Sequence, residues 1–210
     1  EHAGRNGFIF TEELPEIEDA CRIQGSNNLL LFTYRDKKFN EKATYADPNI
    51  FTLFNFQLLE GNPKKPFLDN RSIVLNETLA KKYFGNEPAI GKLLQIKNGD
   101  SYKVTGIMED MPLNSSLQYD LLLPFDILAE NRQNNPLNND WGNFDYQTYF
   151  LLRPGAAPEN VGKQLAVIHR KNQPSEFFKD LTYLLQPLEK MHLYDVLGHE
   201  QGMRQVKIFL

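Results

Sequence analysis

No unbroken apolar run in this chain exceeds four residues, the length reached at 29–32, 149–152 and 165–168. A helix that spans a bilayer needs about 20 apolar residues, so the 210 residues are read as a soluble piece. Its core must be assembled from many short elements. With 41% hydrophobic and 24% charged residues there is enough apolar material for one packed domain or two small ones. The formal net charge of -4 gives no field for gripping a polyanion, which argues against a nucleic-acid partner. No charged stretch followed by an apolar one opens the chain, so a signal peptide is absent or was cut away. The single Cys21 excludes an internal disulfide and any thiolate zinc cluster.

Punctuation by Pro, Gly and Asn locates the elements. Leu14, Ile17, Ala20 and Cys21 recur at helical spacing behind Thr11, which predicts a short first helix. Residues 29–34 and 42–46 read as a hairpin turned at Arg35-Asp36-Lys37-Lys38. Asp47 then caps a second helix with Pro48 at its first position. A break follows at 61–66. Beyond it, 72–75 reads as a strand and Asn76 as the cap of a helix whose stripe is Leu79, Ala80, Tyr83 and Phe84, closed by Gly85. Strands at 93–96 and 102–108 flank Asn98-Gly99-Asp100, a tight-turn signal. A strand at 118–123, a brief helix at 124–131 and an asparagine-rich break at 131–143 come next. The chain continues with a strand at 146–152, a helix from Pro158 carrying Val161, Leu165, Ile168 and His169 on one face, and a strand at 181–188. Helices and hairpins alternate without a βαβ rhythm, so the class is α+β.

Chemistry finds little to stand on. Gly85 to Lys92 looks like a phosphate loop, but five residues, one of them Pro88, separate its glycines, and Leu93 follows the lysine where Ser or Thr would hold magnesium. It also follows a helix, where a phosphate cradle precedes one. His192, Asp195 and His199 would share a helical face, yet Gly198 and Gly202 loosen the segment, and no metal site is assigned. His169 reads as a hydrogen-bonded residue at the core's edge. Ser115 lies in a turn rather than a strained elbow, Cys21 on an apolar face, and Glu109 and Asp110 point apart in extended chain. No catalytic residue, cofactor or metal ligand is assigned.

Two stretches carry more. The first is 72–85, ending in Phe84-Gly85, continued by Pro88-Ala89-Ile90-Gly91-Lys92 and by Tyr102-Lys103-Val104-Thr105-Gly106-Ile107. The second combines 47–61, Asp110 to Ser116 with its D-x-P-x-N-S pattern, and Pro187-Leu188-Glu189-Lys190-Met191-His192-Leu193-Tyr194. In this order they resemble the extracytoplasmic core domain of MacB-type, FtsX-like ABC transporter permeases, over roughly residues 14–210. Ala89 stands between Pro88 and Ile90 where that family often reads Pro-Ile-Gly, and the family's first strand has no counterpart in 1–13.

The resemblance implies a two-lobed periplasmic domain between two transmembrane helices of a permease in the inner membrane. A discontinuous porter-like lobe would comprise 1–66 and 144–210, and an inserted, mainly-β sabre-like lobe 67–143. Such a domain does no chemistry; it relays movement from a cytoplasmic ATPase to export or release of a substrate. Implied partners are the permease's own membrane helices, the ATPase, a second copy or homologous half, and a periplasmic adaptor. Implied coupling residues near the membrane are Pro187, Leu188, His192, Leu193 and Tyr194, with Gly85, Gly91, Gly106 and Pro112 as structural turns. Glu1 and Leu210 should emerge from one end, and 208–210 should open a truncated apolar helix, the other reading being an ordinary final strand. The alternative is a secreted or periplasmic module binding peptide or glycan through its aromatic residues.

Overall fold

The computed structural model describes residues 6–97, 99–115, 117–130, 141, 146–190 and 204–209. The fold is α+β, and it divides into two compact units: Glu1–Arg22 with Arg132–Leu210, and Ile23–Asn131. The bounds of these units, 22/23 and 131/132, are not those expected for the lobes, 66/67 and 143/144. The reason is strand pairing: the first hairpin, expected with the outer lobe, is bonded into the inner unit.

In that inner unit, β1 (Ile17–Tyr34) turns through Arg35-Asp36 into β2 (Lys37–Ala46), with Tyr34 opposite Lys37. Arg35 takes a positive φ of 54° to make so short a link. β2 alternates partly buried and exposed residues as far as Lys42, as a strand with one covered face should. α2 (Ile50–Leu53) is a single turn. It starts two residues later than expected: Asn49 takes the cap position, and Asp47 contributes its backbone carbonyl to Ile50 N–H. β3 (Leu58–Glu60) is a three-residue strand with no sequence signal.

β4 (Ser72–Asn76) is buried throughout. Asn76 caps α3 (Glu77–Phe84) by accepting from Leu79 N at 2.8 Å. Its amide also donates to Asp120 Oδ1 at 3.0 Å. β5 (Leu93–Ile96) and β6 (Ser101–Met108) form the second hairpin, turned at Gly99 with φ 96°. Asn98 lies outside the described residues. β7 is shorter than expected (Leu121–Pro124), and α4 (Ile127–Glu130) follows.

The pairings close on themselves: β1 with β2, β2 with β7, β7 with β4, β4 with β6, β6 with β5, and β5 with β1. β3 adds to β6 beyond β5. This ring holds one apolar core, in which Phe32, Ile73, Leu75, Leu94, Val104 and Leu121 meet the Tyr83 and Phe84 face of α3.

The outer unit begins with a correction. The expected helix over 14–21 is instead α1 (Asn6–Glu13) followed by the start of β1. Pro15 supplies no N–H and disfavours helical geometry at Leu14, so the helix ends there. Ala20, Cys21, Arg22 and Ile23 are all buried, and a strand covered on both faces shows no alternation to read. β8 (Gln147–Leu152) leads to α5 (Pro158–Asn172), which starts at Pro158 as the sequence indicated and buries Val161, Leu165, Ile168 and His169. β9 (Thr182–Pro187) and β10 (Arg204–Phe209) complete a sheet in the order β1-β8-β10-β9. The reading of 208–210 as the opening of a helix is overturned at Ile208 and Phe209. They lie in β10, where parallel pairing to β8 and β9 decides what three apolar residues could not. Phe10, Trp141, Phe150, Leu165, Phe178 and Tyr183 gather in this unit's core. Glu1 and Leu210 lie outside the described residues, as does most of the asparagine-rich break. Among the described residues no helix is long and apolar enough to cross a membrane.

Candidate functional site

The residues implied as membrane-proximal divide sharply. Pro187 is the last residue of β9, paired with Phe209 of β10, and Leu188 opens the 3-10 turn that follows; both are partly buried. His192, Leu193 and Tyr194 lie outside the described residues, as do Asp195, His199 and the metal reading attached to them. Among the described residues no group of three His, Cys, Asp or Glu is placed to hold a metal ion.

Of the structural turns, Gly85 ends α3 with φ 63° and returns its N–H to Lys81 O at 2.8 Å. Gly91 has φ 83° and donates to Val104 O at 2.8 Å. The 85–92 loop is therefore a helix end leading into a strand. Gly106 is not a turn. It lies in β6, where the ladder to β4 skips Thr105, and a Cβ there would stand 3.1 Å from Leu58 Cδ1 and 3.3 Å from Val74 Cγ2. Pro112 does sit in a turn: its carbonyl accepts from Ser115 N at 2.8 Å and from Gln118 Nε2 at 2.6 Å.

The buried candidates serve packing. His169 lies among the rings of Trp141, Phe178 and Tyr183, with Nδ1 2.8 Å from the Tyr183 hydroxyl. Burial pushes the Tyr183 hydroxyl above the usual phenol range. Cys21 is fully buried, on a strand.

The contacts of two surface arrangements escaped the sequence reading because the partners are distant along the chain. Glu87, in the 85–92 loop, accepts from Arg35 Nη1 at 2.9 Å at the tip of the first hairpin and from Lys92 Nζ at the start of β5. Arg35 and Lys92 also stand over the Tyr34 ring, which meets Phe84 edge-on. Beside them Lys37 Nζ donates to the carbonyls of Lys82 and Tyr83 at the end of α3, where a cation complements the helix dipole. Glu41 accepts from Lys82 Nζ at 2.7 Å and from the Tyr83 hydroxyl at 3.2 Å, and burial above all drives that phenol's pKa upward. Together these bonds pin the hairpin tip to α3.

The hydrogen bond from Lys92, and then that from Arg35, hold the Glu87 carboxyl below its ordinary range. A depressed folded pKa contributes stability above the unfolded value of about 4.3 and loses it as pH falls through the folded value. The melting temperature of the protein should therefore fall more steeply below about pH 4.3 than that of Glu87→Gln. The difference should shrink in high salt because the cluster is exposed. Parallel curves from pH 7 to 3 would show that the cluster contributes nothing.

The second arrangement is the D-x-P-x-N-S loop. Asp110 accepts from Thr78 N at 3.1 Å and from Thr78 Oγ1 at 2.6 Å, fixing the loop to the first turn of α3. Beside it a groove of about 380 Å³ is lined by residues from 55–57 and 109–115, including Phe56, Glu109, Asp110, Met111 and Pro112.

Comparison with known proteins agrees with this architecture. Residues 5–168 match the MacB-like periplasmic core domain family. A solved domain of a protein assigned as a permease from Porphyromonas gingivalis is 30% identical, with a TM-score of 0.71 over 83% of this chain and 79% of that one. The extracellular domain of the noncanonical ABC-type transporter YknZ from Gram-positive bacteria is 13% identical, with a TM-score of 0.62 over 83% and 85%. The periplasmic region of MacB from Actinobacillus actinomycetemcomitans is 14% identical, with a TM-score of 0.59 over 81% and 74%. No curated protein matches. A family match over more than three-quarters of the chain and a fold shared with transporter domains converge, and the chain belongs to the MacB-like periplasmic core domains of ABC transporter permeases.

Proposed function

We propose that this domain relays movement, carrying conformational change from a cytoplasmic ATPase to substrates outside the membrane, and performs no reaction of its own. The family match over residues 5–168 carries the reading. In this reading the domain lies in the periplasm, joined to its own membrane helices, and works against a second copy or homologous half; a periplasmic adaptor is a further partner.

A relay must transmit load without yielding, and β10 suits that. It lies between β8 and β9, parallel to both, so a pull along it is shared by two rows of hydrogen bonds. Pro187 stands level with Phe209 at the end of β9, and Leu188 directly follows. We assign coupling to these two and, by sequence, to His192, Leu193 and Tyr194.

The test uses the full-length permease reconstituted with its ATPase, spin-labelled at Glu189→Cys, an exposed position. Trapping the ATP-bound state should change the label-to-label distance between the two copies. Leu188→Asp or Tyr194→Ala should abolish that change while ATP hydrolysis and the circular dichroism of the domain persist. Distances that ignore nucleotide in the protein labelled at Glu189→Cys alone, or further variants that move normally, would refute the relay.

A further inference from the structure

The loop from Asp110 to Ser115 holds an apolar residue out into solvent, and it is not a loose loop that does so. Leu113 is fully exposed, the most exposed of the large apolar side chains among the described residues. The segment around it is tied at both ends. Glu109 N donates to Gln57 O at 3.1 Å, and the Asp110 carboxylate is fixed on Thr78. Beyond Leu113, Ser115 N closes the turn on Pro112 O, Leu117 N donates to Ser115 Oγ at 3.2 Å, and Gln118 Nε2 bridges the carbonyls of Pro112 and Ser115. Leu113 is thus presented on a pre-ordered turn, and little conformational entropy remains to be lost when it is covered.

Next to this turn lies the groove of about 380 Å³. Its floor is amphipathic. Phe56, stacked on Phe54 at 5.3 Å and meeting Tyr119 edge-on, forms the aromatic side, and Met111 supplies an unbranched, adaptable thioether. Its charge is one-sided: Glu109 and Asp110 line it, and no lysine or arginine is among the described residues that do. A large exposed leucine beside an aromatic and methionine floor marks a contact surface, and two carboxylates unmatched by a lining cation select the sign of what fits.

We propose that this face docks a cationic amphipathic polypeptide segment, whose apolar side covers Leu113, Met111 and Phe56 and whose lysines or arginines meet Glu109 and Asp110. It goes beyond the relay reading and does not depend on it, because the groove lies wholly within the unit Ile23–Asn131.

The experiment titrates the 210-residue protein with an 18-residue amphipathic helix-forming peptide of Leu and Lys, followed by fluorescence anisotropy. The same peptide with Glu in place of Lys, and a scrambled Leu/Lys peptide of equal charge, serve as comparisons. The amphipathic Lys peptide should bind, more weakly as salt rises. Leu113→Ser, on an exposed turn where no fold is at stake, should weaken it about tenfold or more, and Glu109→Lys should weaken it further at low salt. Several results would overturn the proposal: no binding of the Lys peptide at 1 mM, equal binding of the Glu or scrambled peptide, unchanged affinity in Leu113→Ser, or Leu113-dependent self-association of the protein in place of peptide binding. The last would assign the face to a second copy of this chain.

Discussion

Gly162→Ala should lower stability by about 3 kcal/mol, a fall in melting temperature of roughly 10 °C for a chain of this size. Gly162 is buried in α5 where the helix crosses β9, and a methyl group there would stand 2.4 Å from the Tyr183 carbonyl oxygen. That neighbour is backbone within a strand paired to β10, so it cannot swing aside as a side chain would. The helix must lift instead, thinning the contacts of Val161, Leu165 and Ala166 in the core beneath. Gly85→Ala separates steric from conformational cost: its added methyl meets nothing within 4 Å, but φ of 63° with ψ of -121° is backbone that suits glycine, so it should cost about 1 to 3 kcal/mol. Thermal melts of both variants check this, and a Gly162→Ala protein that melts with the parent would contradict the packing of α5 on β9.

Phe10→Ala should cost about 3 to 5 kcal/mol. Phe10 is the hub of an aromatic cluster: its ring meets Trp141 at 5.6 Å, Tyr183 at 5.9 Å and Phe150 at 6.0 Å, each edge-to-face. Removing it leaves a cavity walled by three rigid rings that cannot collapse into it, and forfeits three edge-to-face contacts as well. Lys171→Ala is the comparison on the same unit. It breaks the exposed Lys171–Glu13 pair at 3.0 Å, which holds α1 by charge alone, and should cost no more than about 1 kcal/mol. Chemical denaturation of the two variants measures both. If Phe10→Ala were as mild as Lys171→Ala, α1 would be an appendage of the unit and not part of its core.

These residues also show what could be read from the sequence. Asn76, Gly85 and Pro158 are local devices, a side-chain cap, a positive φ and a ring with no N–H to lose, and each declared its helix from within a few residues. The 29–34 and 42–46 hairpin was equally visible, since its turn residues adjoin the strands. Other elements depend on contacts far away. The helical spacing of Leu14, Ile17, Ala20 and Cys21 was coincidental, because β1 is covered on both faces from Ala20 to Ile23 and carries no period there. Nothing local marks α1; Phe10 is helical because Trp141, Phe150 and Tyr183 give its ring a place to go. Ile208 and Phe209 could be strand or helix until β8 and β9 stand on either side of them. The Glu87 cluster was illegible for the same reason, with Arg35 and Glu87 52 residues apart. The D-x-P-x-N-S loop was legible as a landmark, but not as a turn that holds Leu113 out beside a carboxylate-lined groove.

The closed ring of strands in the inner unit has a consequence for the order in which it can form. β2 finds its outer neighbour only in β7, matching Thr44 with Leu122 and Ala46 with Pro124. A chain in which only the first hairpin has formed must hold one side of it unsatisfied until the final strand of the ring arrives. The β2–β7 seam is therefore the last to close, and its long sequence separation favours slow maturation of the ring.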